Sequence, residues 1–269
     1  MLVTFEDRLD SSWQQIAVGG GHVEVANGIL RLAKQNRADN NHSVGYANAQ
    51  IDDYQSLHRR DFLWRPPLTF TIRTRFSHEA MSTGDVAAQH LTGTAGFGFW
   101  NDPFMMTDAR RPALPRALWF FYASPPSNMC LALDRPGYGW KAATIDAQTA
   151  PFLCLLPTAP FAIPLMHIRP IYRALWPIAQ RAINVSEAMI QQPMSEWHTY
   201  RIEWRQRKAR FFIDDKLILD CNTPPRGPLG LVIWIDNQYM VVTPRGQIRH
   251  GVVSVEKEER LEIEWIKIY

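Results

Sequence analysis

Residues 197–239, WHTYRIEWRQRKARFFIDDKLILDCNTPPRGPLGLVIWIDNQY, constrain the fold more than any other stretch. Tyr200, Ile202 and Trp204 alternate with Thr199, Arg201 and Glu203. A strict period of two puts alternate side chains on opposite faces of a half-buried strand. A second run covers residues 209–213, and Asp214-Asp215-Lys216 supplies turn chemistry before residues 217–219 resume the pattern. Residues 223–228 interrupt it, and residues 229–235 form an apolar strand. The stretch predicts a meander of antiparallel strands whose aromatics face one core.

The rest of the chain extends that reading. Residues 68–76 (LTFTIRTRF), 94–100 (TAGFGFW) and 117–123 (ALWFFYA) read as strands, and residues 22–25 and 28–32 as a hairpin turning at Asn27-Gly28. Residues 129–133 and 141–145 predict two more strands around Pro136-Gly137. In the closing run, Leu261, Ile263 and Trp265 oppose Glu262 and Glu264. Residues 151–192 differ in character, with Pro151, Pro157, Pro160, Pro164 and Pro170 preceding Trp176-Pro177. From Ile168 onward, Ile171, Leu175, Ile178, Ala182 and Val185 recur at helical spacing, with Arg169, Arg173, Gln180 and Arg181 off the stripe. This predicts an insertion, a Pro-broken loop leading into a helix of three or four turns. It would serve one β-sandwich domain over residues 1–269 as a lid or an interaction segment.

Composition narrows the function classes. A chain of 269 residues with 46% hydrophobic content can bury a large core. The net charge of +3 is spread along the sequence, which is no nucleic-acid footprint. Cys130, Cys154 and Cys221 form no CxxC pair, and the histidines form no HxxxH or HxH pair. A disulfide framework and a transition-metal site are therefore not expected. The opening MLVTFEDRLD has no leader-like apolar run, and prolines and arginines interrupt residues 151–192. A cytoplasmic protein without a membrane span is expected.

The segments WHTYRIEW, ARFFIDDKLI and PLGLVIWIDN, in that order, resemble the late strands of laminarinase-type β-glucanases, glycoside hydrolase family 16. TFEDRLDSSW, VANGILRL and the final IEWIKIY are similar to the first and last strands of the same group. The resemblance implies an all-β fold, the concanavalin A-like lectin/glucanase jelly roll of two antiparallel sheets. It also implies a structural calcium ion that Glu6 or Asp7 would serve, and no other cofactor. His198 falls at a packing position of the resemblance.

Retaining glucanases cleave with two carboxylates about 5 Å apart. In the family these lie on one strand as E-x-D-x-(x)-E, which here would directly follow GFGFW. Residues 117–123 stand there and carry no acid, so hydrolysis of that type is not expected. Asp102 and Asp236, at the ends of their strands, are the candidate acids, placed either to approach each other over a groove or to cap turns. Trp100, Trp119, Tyr122, Trp234, Asn237 and Tyr239 are the candidate ligand contacts, although alternation sends about half of the strand aromatics into the core. The first reading is a binding protein for carbohydrate or a small ring-bearing or hydrophobic ligand. The alternatives are acid/base chemistry at the two aspartates under the insertion, or docking of the insertion on a partner or membrane surface.

Overall fold

The computed structural model describes residues 2–6, 9–36, 44–81, 90–103, 111–129, 131–132 and 135–269. The N-terminal half contributes β1 (Leu2–Thr4), β2 (Gln14–Val18), β3 (Gly21–Ala26), β4 (Ile29–Asn36), β5 (Asn48–Asp52) and β6 (Leu68–Phe76). Then come β7 (Thr94–Trp100), β8 (Arg116–Ala123) and β9 (Gly139–Asp146), followed by helices α1 (Ala150–Leu155), α2 (Ala159–Leu165) and α3 (Arg169–Ala182). The C-terminal part holds β10 (Ser186–Met189), β11 (His198–Arg205), β12 (Lys208–Ile213), β13 (Lys216–Cys221) and β14 (Gly230–Asp236). Strands β15 (Gln238–Val242), β16 (Ile248–Val252) and β17 (Val255–Ile268) complete the chain.

Two large antiparallel sheets stack as a jelly roll. One runs β13-β12-β11-β6-β17-β4-β3, with β1 also on β17, and the other β10-β9-β8-β7-β14-β5-β2. The first and last strands pair, Leu2 opposite Lys267. Strands β15 and β16 form a separate ribbon.

The alternation of β11 is realised residue by residue: Tyr200, Ile202 and Trp204 are buried while Thr199, Arg201 and Glu203 are half-exposed. Tyr200 meets Phe97 and Phe120 of the facing sheet at ring-centroid distances of 5.0 Å, edge to face. Such contacts add about 1 kcal/mol each beyond burial of the rings. In β17 a register shift between Ile263 and Trp265 breaks the simple pattern. Leu261, Ile263, Ile266 and Ile268 are buried and Trp265 is half-exposed. A bulge inserts one residue and so switches which parity faces inward.

The insertion is more helical than its prolines imply. Pro151, Pro160 and Pro170 occupy the opening positions of α1, α2 and α3, and Pro157 opens the short 3-10 turn Leu156–Thr158. In a first turn the missing N–H has no intrahelical partner to lose, so proline starts these segments instead of breaking them. The Thr149 hydroxyl caps α1 by accepting from the Phe152 amide at 3.2 Å. Helix α3 runs through Pro177, and its inward side is set by Trp176, with Leu175 and Ala179 packed alongside. Ile178, on the predicted stripe, is instead 49% exposed. The insertion also ends early, because residues 186–189 pair with β9 as an edge strand of the sandwich. The predicted strand at 129–133 falls partly on residues outside the described set.

Candidate functional site on the open face of the second sheet

The second sheet has one face in the inter-sheet core and one turned away from it. On β8, Leu118, Phe120 and Tyr122 enter the core, so Ala117, Trp119 and Phe121 take the opposite face. On β7 that face carries Gly96, Gly98 and Trp100; on β14 it carries Val232, Trp234 and Asp236. Glycine leaves β7 without side chains at its centre, and the neighbouring indoles fill the space. A Cβ on Gly96 would lie 2.9 Å from the Trp234 ring. One on Gly98, whose φ of +146° already demands glycine, would lie 2.7 Å from the Trp119 Cβ.

The result is a tryptophan cluster. Trp100 and Trp234 stack at 6.3 Å and 7°, and Trp119 lies 5.8 Å from Trp100 and 5.4 Å from Trp234. Phe121 stacks on Trp119 at 5.1 Å and 21°. The indole N–H of Trp100 donates to the Tyr54 hydroxyl at 2.6 Å, and that of Trp234 to the Thr94 hydroxyl at 3.0 Å. Both rings are thus oriented as well as packed. Trp100 and Trp234 are buried, whereas Trp119 and Phe121 remain half-exposed and form the reachable part of the cluster. Polar pairs border it. Lys141, opposite Phe121 on β9, meets Glu187 at 3.3 Å, and on β5 the Gln50 amide donates to Asp52 at 2.8 Å.

Of the predicted contacts, Trp100, Trp119 and Trp234 come together and Tyr122 does not. Tyr122 is fully buried between the sheets, its hydroxyl donating to the Leu91 carbonyl at 2.7 Å. Positions 119 and 122 have opposite parity, so one strand cannot present both on one face. The same parity places Phe121 beside Trp119 on the open face. Asn237 is spent on loop bracing: its Oδ1 accepts from the Ala47 amide at 2.8 Å and its Nδ2 donates to the Gly45 and Val253 carbonyls. Tyr239 lies on the β15–β16 ribbon, opposite Gly251, and is not part of the cluster.

Of the two placements open to Asp102 and Asp236, the register excludes an approach over a groove. Asp236 pairs with Thr94 and Gly230 with Trp100, so the two acids mark opposite ends of the β7–β14 ladder. Asp102 lies eight positions along from Thr94, roughly 25 Å at the rise of a strand. Asp102 is buried with φ +46°, and its backbone carbonyl accepts from the Arg59 guanidinium. Asp236 is buried too, its Oδ1 accepting from the Thr94 hydroxyl at 2.8 Å and the Gln238 amide at 3.0 Å. Burial pushes its carboxyl up from 3.8 to about 6, with Lys34 pulling the other way.

A raised folded-state value means the native state binds the proton more tightly than the unfolded chain. The associated stability is present below 3.8 and lost as pH rises through about 6. Asp236→Asn should therefore flatten part of the stability–pH curve in that window, read by denaturant midpoints of both proteins across it. Parallel wild-type and variant curves would remove Asp236 as the source.

His198 packs edge-on to Tyr200 and its Nδ1 pairs with Asp214, a packing position as the resemblance implies. Cys154 is exposed and Cys221 buried, both free; Cys130 lies outside the described residues. Glu6 is exposed just after β1, and Asp7 lies outside the described residues. Among the described residues no group of three or more His, Cys, Asp or Glu is arranged to hold a metal ion.

The comparisons fit this geometry. The family profile "Glycosyl hydrolases family 16" matches residues 178–230. A laminarinase catalytic domain from Thermotoga petrophila superposes with TM-score 0.51 at 10% identity, covering 100% of this chain and 96% of that one. The endo-β-1,3-glucanase of Pyrococcus furiosus gives 0.51 at 8% identity, covering 100% and 92%. A glycoside hydrolase family protein from Mycobacterium thermorestibile gives 0.53 at 12%, covering 100% and 99%. No curated protein sequence matches. The chain thus has the concanavalin A-like jelly-roll fold and resembles glycoside hydrolase family 16.

Proposed function

We propose that the protein binds carbohydrate on the Trp119–Phe121 surface and does not cleave it. One observation carries this reading: the open-face positions of β8 are Ala117, Trp119 and Phe121, the alternate positions an E-x-D-x-E motif would occupy. None can act as nucleophile or proton donor in glycoside hydrolysis. Two adjacent half-exposed rings instead offer an apolar face on which a pyranose stacks. The separation of Asp102 and Asp236 argues against a shared acid/base pair. Among the described residues the insertion packs on Leu114 and Leu131, not on the tryptophan cluster, which argues against a lid over it.

β-1,3-Linked gluco-oligosaccharides are the natural first probes, given the fold relatives. Titration should change the intrinsic tryptophan fluorescence saturably, and prolonged incubation should release no new reducing ends. Saturable binding accompanied by steady release of reducing ends would overturn the non-hydrolytic half of the proposal.

A further inference from the structure

The helical unit and the β15–β16 ribbon share a surface that the glycan reading does not use. Neither residues 147–186 nor residues 237–255 contain Asp or Glu, yet together they carry Arg169, Arg173, Arg181, Arg245 and Arg249. The two segments touch: the Arg245 guanidinium sits 4.9 Å over the Tyr172 ring, and Ile163 lies within 2.9 Å of where a Cβ on Gly246 would be. Met166 and Trp176 anchor the unit from inside, with the Trp176 N–H donating to the Leu131 carbonyl at 2.8 Å. Its outer side is apolar. Phe161 is 76% exposed and Ile248 on the ribbon 75%, with Leu165 and Ile168 exposed as well. Arg169, Arg173, Arg181 and Arg249 are also exposed, and among the described residues none of the five arginines is ion-paired.

We propose that this surface docks on an anionic membrane, with Phe161, Leu165, Ile168 and Ile248 entering the headgroup boundary and the arginines meeting lipid phosphates and carboxylates. Separate apolar side chains on short helices, flanked by cations and free of acids, match the requirements of an interfacial contact. A second copy is disfavoured by charge, because self-docking would oppose arginine to arginine with no acid between them. The contact is peripheral: among the described residues no helix is long and apolar enough to cross a bilayer.

The test is co-sedimentation of the full chain with phosphatidylcholine vesicles, with and without phosphatidylserine. Pelleting should require phosphatidylserine and weaken at high salt. Phe161→Ser/Ile248→Ser should lower partitioning at least about tenfold. Arg173→Gln should lower it about fivefold, the loss expected for one cation at such a surface. All three side chains are exposed, so both variants should keep the wild-type circular dichroism. Absence of pelleting with either vesicle, or pelleting unchanged in the double variant, would overturn the proposal. So would a lipid-free dimer that the double variant dissolves, which would assign the surface to a second copy.

Discussion

Lys34→Ala should lower folding stability by about 3–5 kcal/mol, the cost of leaving a buried charge without its partner. Lys34 is 0% exposed. Its ammonium pairs with Glu259 at 3.2 Å and donates to the backbone carbonyls of Thr92 and Asp236. Glu259 is itself bound by the amide and hydroxyl of Thr92, at 3.0 and 2.9 Å. The cluster ties β4 and β17 of one sheet to the ends of β7 and β14 in the other. Burial pushes the Lys34 amine down from its usual value, while Glu259 and Asp236 pull it up. Removing the amine strands a carboxylate and two carbonyls in the interior. Guanidinium unfolding of Lys34→Ala, Glu259→Gln and the double variant checks this. The double variant should lose clearly less than the sum of the singles, because the two groups act as one pair. A Lys34→Ala loss below about 1 kcal/mol, the range of exposed pairs, would contradict the role given to the cluster.

The sandwich was legible in the sequence because one-sided burial writes itself as alternation. Tyr200, Ile202 and Trp204 needed only local parity, and the turn at Asp214-Asp215, both with positive φ, needed only local chemistry. Features decided by partners outside the local segment were not legible. The bulge after Ile263 depends on pairing with β6, and it turned Trp265 outward where simple alternation places it inside. The opposite ends occupied by Asp102 and Asp236 depend on the register of β7 against β14, which no single strand reveals. The role of Lys34 has no local signal, because its partners Thr92, Asp236 and Glu259 lie 58, 202 and 225 positions away along the chain. The prolines of the insertion carry a meaning that is positional. Their meaning depends on where a helix starts, and three of them start one.

Tyr122 shows how closeness in sequence differs from a shared face. An aromatic residue three positions from Trp119 looks like a neighbour in the sequence, yet it belongs to the other face of the strand. The glycines had a signal of their own. Gly96 and Gly98, at the centre of an otherwise apolar strand, are the hollow into which Trp234 and Trp119 pack.

The central claim is that this open face binds glycan through rings instead of acids, and one calorimetric titration tests it most directly. It compares the wild type, Trp119→Ala and Tyr122→Phe on a β-1,3-linked gluco-oligosaccharide. Loss of a central aromatic contact removes about 2 kcal/mol of binding, roughly thirtyfold in affinity. Trp119→Ala should show that loss or a flat titration, while Tyr122→Phe, altered only inside the core, should bind as the wild type does. Equal affinity in the wild type and Trp119→Ala, or no binding by the wild type, would contradict the account.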